Sequence, residues 1–255
     1  MTLVLTELSL FGIAMAADSA VTTTQVHTGL SHATPSAAQK LQAVDHLSAG
    51  VSCWGLGSIG GAPTDEWLTD FIRATEGVAT LGAFADELER RLNDEVGANI
   101  QGQPRLGFHI CGFEDYEGCP TPSFYHVHDG PSTALEKRGI RVDPHRFNAN
   151  HDCPPEKCRA MLEAGGAYIT RNGDYQLYAQ MFGLLAGFFR QLRNFGIEIP
   201  SSQSLAERAE YLIFQIRVMC ELYKLSNLVP GIGGGIHFLT IAPAGIHSQG
   251  VRYFW

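Results

Sequence analysis

The chain has 255 residues, with 18 Lys or Arg, 26 Asp or Glu and a formal net charge of −8. With 45% hydrophobic and 17% charged residues, its composition is typical of a globular protein and excludes a disordered one. The pI near 5.6 and the scattered Lys and Arg residues exclude nucleic acid as an expected partner, because phosphate binding requires a clustered basic face. No apolar run reaches the roughly 18 residues of a membrane span, so no membrane partner is expected either.

The first residues resemble a secretory signal only superficially. The apolar stretch Leu8–Ala17 ends in small residues, but no Lys or Arg precedes it, and Glu7 stands where its apolar part should begin. A signal peptide needs a positive segment before its apolar core, so we expect a cytoplasmic protein. Its six cysteines are then expected to be free thiols.

The first third of the chain predicts antiparallel β-structure. Two apolar runs, Leu3–Leu8 and Gly12–Ala17, are too short for typical helices and end in turn residues. A second pair of strands is predicted at Lys40–Val44 and Ser48–Trp54. The polar segment Thr22–Ala38, which contains a proline, is predicted to be the loop between the two pairs.

Helices and strands alternate in the rest of the chain. Thr64 or Asp65 is predicted to cap the first helix, and Ser204 with Glu207 forms a capping box for the last. The predicted helices are Thr64–Ala74, Leu81–Leu92, Pro155–Ala164, Asp174–Phe195 and Leu205–Leu225. The predicted strands are Leu106–Gly112, Ser123–His128 and Ile236–Ile241, with a loop at Asp115–Pro122. This order indicates one layered α+β domain that spans 1–255.

The segment Gly55–Gly60, with the sequence GLGSIG, matches the spacing of a dinucleotide-binding fingerprint. In that fingerprint a helix begins at the glycines, so that its N-terminal N–H groups face a pyrophosphate. Here Gly61–Pro63 intervenes before the next predicted helix, and the neighbouring pattern is one of β-hairpins. We therefore expect no nucleotide and no other cofactor.

His126 and His128 alternate on a predicted strand, so both side chains should lie on one face. Four further potential metal ligands are near in sequence: His145, His151, Cys153 and Cys158. Their spacing matches no standard zinc pattern, which favours polar strand residues followed by a loop. A His/Cys metal-binding protein is the weaker alternative.

Thr2 becomes the first residue when the initiator Met is removed, which its small side chain permits. An N-terminal threonine carries a hydroxyl nucleophile and a base together, because its own α-amine can accept the hydroxyl proton. A free α-amine has a pKa of roughly 7.7–8.0, and a nearby Lys lowers that pKa further. The residues that follow Thr2 decide whether this chemistry is expected.

Their order resembles proteasome β-subunits and their bacterial relatives, which are N-terminal nucleophile (Ntn) hydrolases. Asp18 follows Thr2 by 16 residues within the sequence AADSAVT. Lys40 then begins a predicted strand, and Gly55 ends the strand after it. Further similar segments lie, later in the chain, at 110–112, 125–130 and 233–245.

The resemblance implies a four-layer αββα sandwich of two antiparallel sheets covered by helices, and self-association into rings or stacked rings. It implies that Thr2 is nucleophile and base, that Lys40 lowers the pKa of the α-amine, and that Asp18 orients Lys40. The Gly55 N–H would face the developing oxyanion. Thr22 would offer backbone hydrogen bonds to an extended peptide substrate.

The chain departs from the family pattern in one loop length and in the residues that support the site. The loop before the lysine is longer than usual, and no serine between positions 132 and 201 can be the supporting Ser of a Gly-Ser-Gly turn. Val229 and Ile232 stand where the family has a supporting Asp and a second Ser. Asn148 and Asn150 are candidate substitutes.

The leading hypothesis is therefore a proteasome-like threonine hydrolase that cleaves amide bonds of peptides. The alternative from another class is a catalytically inactive scaffold or shell subunit with the same fold, which the missing Ser and Asp favour. A retained Met1 would leave no free threonine amine and would favour the scaffold.

Overall fold

In the computed structural model the described residues are 2–24, 31–34, 38–96, 105–129, 146–173, 175–197, 202–226 and 231–254. Two five-stranded sheets dominate, and neighbouring strands run antiparallel in both. In spatial order, the first sheet contains β12 (Tyr168–Gly173), β1 (Leu3–Ser9), β2 (Gly12–Asp18), β13 (Ile236–Ala242) and β14 (Gly245–Arg252). The second contains β11 (Asn148–Cys153), β10 (Cys119–His128), β9 (Leu106–Tyr116), β6 (Ala49–Gly55) and β5 (Leu41–Val44).

Shorter elements complete the described part of the chain. Two small hairpins are formed by β3 (Val21–Thr24) with β4 (Ser31–Thr34) and by β7 (Ser58–Ile59) with β8 (Ala62–Pro63). The α-helices are α1 (Thr64–Ala74), α2 (Leu81–Glu95), α3 (Pro155–Glu163), α4 (Tyr175–Leu192) and α5 (Leu205–Leu225). Short 3-10 turns lie at Asp45–Leu47 and Arg193–Phe195. Within these described residues, no helix is long and apolar enough to cross a membrane.

The buried apolar residues form three clusters. In the first, α1 and α2 pack on the second sheet, with Phe71, Phe84 and Phe108 at its centre. In the second, α5 packs on the first sheet, and its members include Leu5 and Ile216. The third cluster combines side chains of both sheets: its members include Val4, Met15 and Leu239 from the first, and Leu41, Cys111 and Phe124 from the second.

The predicted strand pairs at the start of the chain are present and are more deeply buried than ordinary sheet strands. Every residue of β1 and of β2 is buried. Alternate side chains of a strand point to opposite faces, so both faces of these two strands are covered. This explains why apolar residues predominate in both strands and do not alternate regularly with polar ones.

Two predicted loops are wrong. The segment Thr22–Ala38 contains the hairpin of β3 and β4, and the three consecutive threonines 22–24 are β-branched residues that favour strands. The segment Asp115–Pro122 belongs mostly to β9 and β10, which meet at Glu117 and Gly118 with φ of 53° and 77°. Positive φ at both central residues is typical of the tightest hairpin turns, so no longer loop is needed.

The predicted helix caps are confirmed only in part. Pro63 precedes α1, whose first residues bond elsewhere: Thr64 Oγ1 donates to the Leu56 carbonyl, and Asp65 Oδ2 accepts the Gln39 N–H. At α5, Ser204 Oγ accepts the N–H of Glu207 at 3.2 Å as predicted. The Glu207 carboxylate accepts the N–H of residue 203 rather than that of Ser204, so one half of the capping box is shifted by a residue.

Candidate active site

A cavity of about 290 Å³ lies beside the first residues of the chain. Its lining includes Thr2, Lys40 and Gly55, which are three of the four residues that the sequence predicts to be catalytic. Thr2 immediately precedes β1 and is only 4% exposed. Lys40 immediately precedes β5, and Gly55 is the last residue of β6. The cavity therefore lies between the two sheets, beside the N-terminal end of β1 in the first sheet and beside the start of β5 and the end of β6 in the second.

Asp18 is the fourth predicted residue and lies fully buried at the end of β2. Its Oδ1 accepts the N–H of Leu3 at 2.9 Å, and its Oδ2 accepts the N–H groups of Ala20 at 3.2 Å and Gly233 at 3.1 Å. Lys40 Nζ donates to both carboxylate oxygens, at 3.2 and 3.3 Å. One carboxylate thus holds the backbone beside Thr2 and the ammonium group of Lys40 together.

The charge of Lys40 is buried and compensated. The side chain is 7% exposed, and Nζ also donates to the carbonyl oxygen of Ala20. Burying an ion is costly unless it is paired and hydrogen-bonded. Loss of Asp18 would therefore leave an uncompensated cation, and the pair should act as one unit.

Gly55 is required by the backbone at its position. Its φ is +98°, and a Cβ there would lie 1.7 Å from the carbonyl oxygen of Arg105. The following residues form the small hairpin of β7 and β8, and α1 begins only at Thr64. The dinucleotide fingerprint requires a helix that begins at its glycines. Here the glycines lead into a hairpin instead.

Thr22 lies in β3, opposite Ala33 of β4. Its side chain is outside the described part of the structure, but the two residues before it, Ala20 and Val21, line the cavity. The backbone of β3 therefore begins at the cavity. Its predicted contact with a peptide substrate stays a prediction.

The rest of the cavity wall is mostly apolar. Cys53, Trp54 and Leu56 line it, and burial raises the pKa of the Cys53 thiol to about 12. That thiol is therefore neutral near pH 7 and is not an activated nucleophile. Asp65 adds a carboxylate to the lining, and one of its oxygens accepts the Gln39 N–H at 2.8 Å.

The histidines and cysteines of the metal hypothesis are only partly brought together. His126 and His128 do share a face, with ring centroids 4.2 Å apart. His151 instead stacks on Tyr125 and bonds to Ser123 Oγ at 2.7 Å. Cys153 and Cys158 belong to the third apolar cluster, and His145 lies outside the described residues. Among the residues that are described, no group of three or more His, Cys, Asp or Glu could hold a metal ion.

The candidate substitutes for the missing supporting groups have other partners. Asn148 Nδ2 donates to the Arg146 carbonyl, and Asn150 Nδ2 donates to His128 Nε2 at 3.1 Å. Ile232 is buried in the second apolar cluster, whereas Val229 lies outside the described residues. Gly233, the residue after Ile232, does support the site, because its backbone N–H donates to the Asp18 carboxylate.

Comparison with solved structures identifies a similar fold. A Gly-1 mutant of Anbu from Hyphomicrobium sp. strain MC1 matches 98% of this chain and 87% of its own, with a TM-score of 0.53 and 12% sequence identity. Anbu is a bacterial proteasome-like protein related to the Ntn hydrolases, and at this identity the similarity is one of fold. No protein-family model matches the chain, and no curated protein matches it. The mixed α/β architecture with two antiparallel sheets is thus similar to a proteasome-like fold.

Proposed function

We propose that this protein is a proteasome-like threonine hydrolase that cleaves amide bonds of peptides, with Thr2 as its nucleophile once Met1 is removed. The observation that carries the proposal is the Asp18 carboxylate, which bonds both to the Leu3 N–H and to Lys40 Nζ beside the cavity. A nucleophile whose own amine is the base needs a nearby cation to keep that amine neutral. Lys40 is the cation in the lining of this cavity.

In the proposed reaction, the Thr2 α-amine accepts the proton of Oγ1 while Oγ1 attacks the substrate carbonyl carbon. The Gly55 N–H stabilises the resulting oxyanion, a type of contact that contributes roughly 3 kcal/mol or more to lowering the barrier. The tetrahedral intermediate collapses to an ester on Thr2, and the protonated α-amine returns its proton to the leaving amine. Water, deprotonated by the same α-amine, then attacks the ester carbon. The bond from that carbon to Thr2 Oγ1 breaks, the protonated amine returns its proton to Oγ1, and the acid is released.

The remaining parts of the proposal concern the assembly. Apolar clusters on both sides of each sheet support a four-layer αββα sandwich formed by one domain, 1–255. The backbone at Thr22 would pair with an extended peptide at the cavity. The proteasome-like fold supports self-association into rings or stacked rings in the cytoplasm.

A catalytically inactive scaffold subunit is the second candidate. The buried Ile232, at the position where the family has a supporting Ser, is the observation that favours it. The two candidates differ in one simple respect. The enzyme needs a free Thr2 amine, whereas the scaffold does not.

The test combines the mass of the intact protein with hydrolysis of fluorogenic peptide amides. We expect a mature chain without Met1, activity in the wild type, activity in Thr2→Ser, and a loss of at least about a thousandfold in Thr2→Ala. Circular dichroism should be the same for all three proteins. Full activity in Thr2→Ala contradicts the hydrolase, and a mature protein that keeps Met1 supports the scaffold.

A further inference from the structure

The residues of the candidate site are divided between the two sheets. Thr2 precedes β1 and Asp18 ends β2 of the first sheet, whereas Lys40 precedes β5 and Gly55 ends β6 of the second. The alignment of one sheet on the other therefore determines how the nucleophile meets its partners. Apolar contacts of the third cluster bring the sheets together, but such contacts are not directional.

A polar bridge crosses between the sheets, with Thr6 and His109 buried and Asn172 and His126 partly buried. Asn172 Nδ2, on β12, donates to His109 Nε2 at 2.6 Å and to His126 Nε2 at 3.1 Å. The two histidines are directly opposite each other on β9 and β10. Thr6 of β1 contacts the other nitrogen of the first ring, with 3.1 Å between Oγ1 and His109 Nδ1. Unlike the apolar contacts, these hydrogen bonds specify both distance and direction.

The Asn172 amide sets the hydrogen-bond role of the ring nitrogens that face it. Because the amide nitrogen can only donate, the Nε2 atoms of His109 and His126 act as acceptors in this arrangement. His109 Nδ1 can then donate to Thr6 Oγ1, and His126 Nδ1 faces Asp152 Oδ2 at 3.7 Å. Burial and the neighbouring histidines hold the pKa of His109 well below its ordinary value, which keeps this ring neutral.

Asn172 is also adjacent to the start of the chain. It pairs with Val4, and the next residue, Gly173, pairs with Leu3. The φ of Gly173 is +90°, and a Cβ there would lie 1.7 Å from the Thr2 carbonyl oxygen. On the second sheet, the ring of Trp54, which lines the cavity, lies 6.0 Å from that of His126. The bridge thus connects the backbone that holds Thr2 with the wall of the cavity.

We propose that Asn172 is a positioning residue, which aligns the first sheet on the second through His109 and His126 so that Thr2 meets Lys40 and Gly55. The kinetic part of this inference rests on the proposed hydrolase function, but the structural part does not. Its prediction is specific: without the amide, the sheets shift relative to each other, and the Asp18–Lys40 pair, which also joins them, opens.

The experiment compares Asn172→Leu with Thr240→Val. Thr240 is buried and donates to the Ser248 carbonyl of the neighbouring strand, so its variant loses a buried hydrogen bond within one sheet only. The first readout is acetylation of Lys40 by acetic anhydride, followed by mass spectrometry and normalised to Lys224. The Lys40 side chain is 7% exposed and that of Lys224 is 54% exposed, so the wild type should label almost only the latter.

We expect Asn172→Leu to raise Lys40 acetylation at least fivefold and to lower kcat at least tenfold, with KM changed less than threefold. Thr240→Val should leave both values at the wild-type level. Wild-type labelling and kcat in a folded Asn172→Leu protein overturn the proposal, as do equal effects in Thr240→Val.

If neither the wild type nor any variant hydrolyses an amide, the proposed hydrolase function fails, and the acetylation of Lys40 alone tests the positioning role of Asn172. If Asn172→Leu does not fold, Asn172→Ser, which keeps a donor too short to reach both rings, takes its place with the same readouts.

Discussion

At the scale of single residues, Gly55 has a structural role that can be measured separately from any catalytic one. Alanine at Gly55 would require a φ of +98° and would clash with the Arg105 carbonyl. Since a positive φ alone costs an L-residue about 1–2 kcal/mol, we expect Gly55→Ala to lower the free energy of unfolding by more than about 2 kcal/mol. Urea unfolding measures this change.

Gly57 is the matched control for that substitution. It lies two residues further on and also lines the cavity, but a Cβ there would meet nothing within 4 Å. Gly57→Ala should change the free energy of unfolding by less than about 0.5 kcal/mol. Equal stability of the two variants would contradict the structural explanation for Gly55.

Asp65 leads to a prediction about substrate preference. Its carboxylate lies in the same cavity wall as the apolar side chains of Trp54 and Leu56. An apolar wall with one negative group favours a substrate side chain with an apolar stem and a positive end. We expect Asp65→Asn to lower kcat/KM for a lysyl amide about tenfold, which corresponds to about 1.4 kcal/mol, and to leave the norleucyl amide unchanged.

Asp70→Asn is the control for this prediction. Asp70 lies on the same helix but is exposed and pairs with Arg73. Its substitution should not change the ratio of the lysyl to the norleucyl rate. If Asp65→Asn keeps the wild-type ratio, Asp65 does not contribute to specificity.

Residue type and order predicted one site for Thr2, Asp18 and Lys40, and in the structure the Asp18 carboxylate bonds both to the Leu3 N–H, beside Thr2, and to Lys40 Nζ. They did not identify His109 or Asn172. His109 lies within an apolar strand, where a single histidine has no pattern. Its hydrogen-bond partners in the first sheet, Thr6 and Asn172, are 103 and 63 residues away in sequence. Only the stacking of the two sheets brings these groups together.

At the scale of secondary structure, the helices were predicted more accurately than the strands. The predicted bounds of α5, whose start rests on the capping box, match both of its ends, and α2 extends only three residues beyond its prediction. The strands β12 and β14 were not predicted, because they are short or largely exposed at the two edges of the first sheet. Pairing with β1 and β13, rather than local preference, keeps these segments extended.

The start of α5 offers a test of the one cap that the sequence predicted correctly. Ser204 Oγ accepts the Glu207 N–H, one of the first N–H groups that have no partner within the helix. Ser204→Ala should lower the free energy of unfolding by about 1 kcal/mol. Ser202→Ala, outside the helix, should have no measurable effect in the same urea titration. A destabilisation that is equal in both variants would contradict the capping role.

At the scale of the whole molecule, the fold buries one pair of groups in their charged form and two histidines in their neutral form. Asp18 and Lys40 are buried as an ion pair, whereas His109 and His128 are buried as neutral rings. Burial and neighbouring rings hold the pKa of His109 well below its ordinary value and lower that of His128 to about 3. The histidines therefore make the folding of the protein depend on pH.

The direction of that dependence follows from proton binding. In the unfolded chain both histidines become protonated below a pH of about 6.5, whereas in the folded protein they stay neutral. Their contribution to stability is complete above pH 6.5 and is lost as the pH falls toward the lowered pKa values. Each ring should remove about 1.4 kcal/mol from the free energy of unfolding between pH 7.5 and pH 5.5.

His128→Gln isolates one of the two contributions. We expect the loss of stability between pH 7.5 and pH 5.5, measured by urea unfolding, to be smaller in this variant than in the wild type by about 1.4 kcal/mol. Glu7 and Asp129 have raised pKa values and act in the opposite direction, but they are present in both proteins and their contributions cancel in the comparison. His247→Gln, at an exposed position, should retain the wild-type dependence. An unchanged pH dependence in His128→Gln would mean that this ring is not held neutral by the fold.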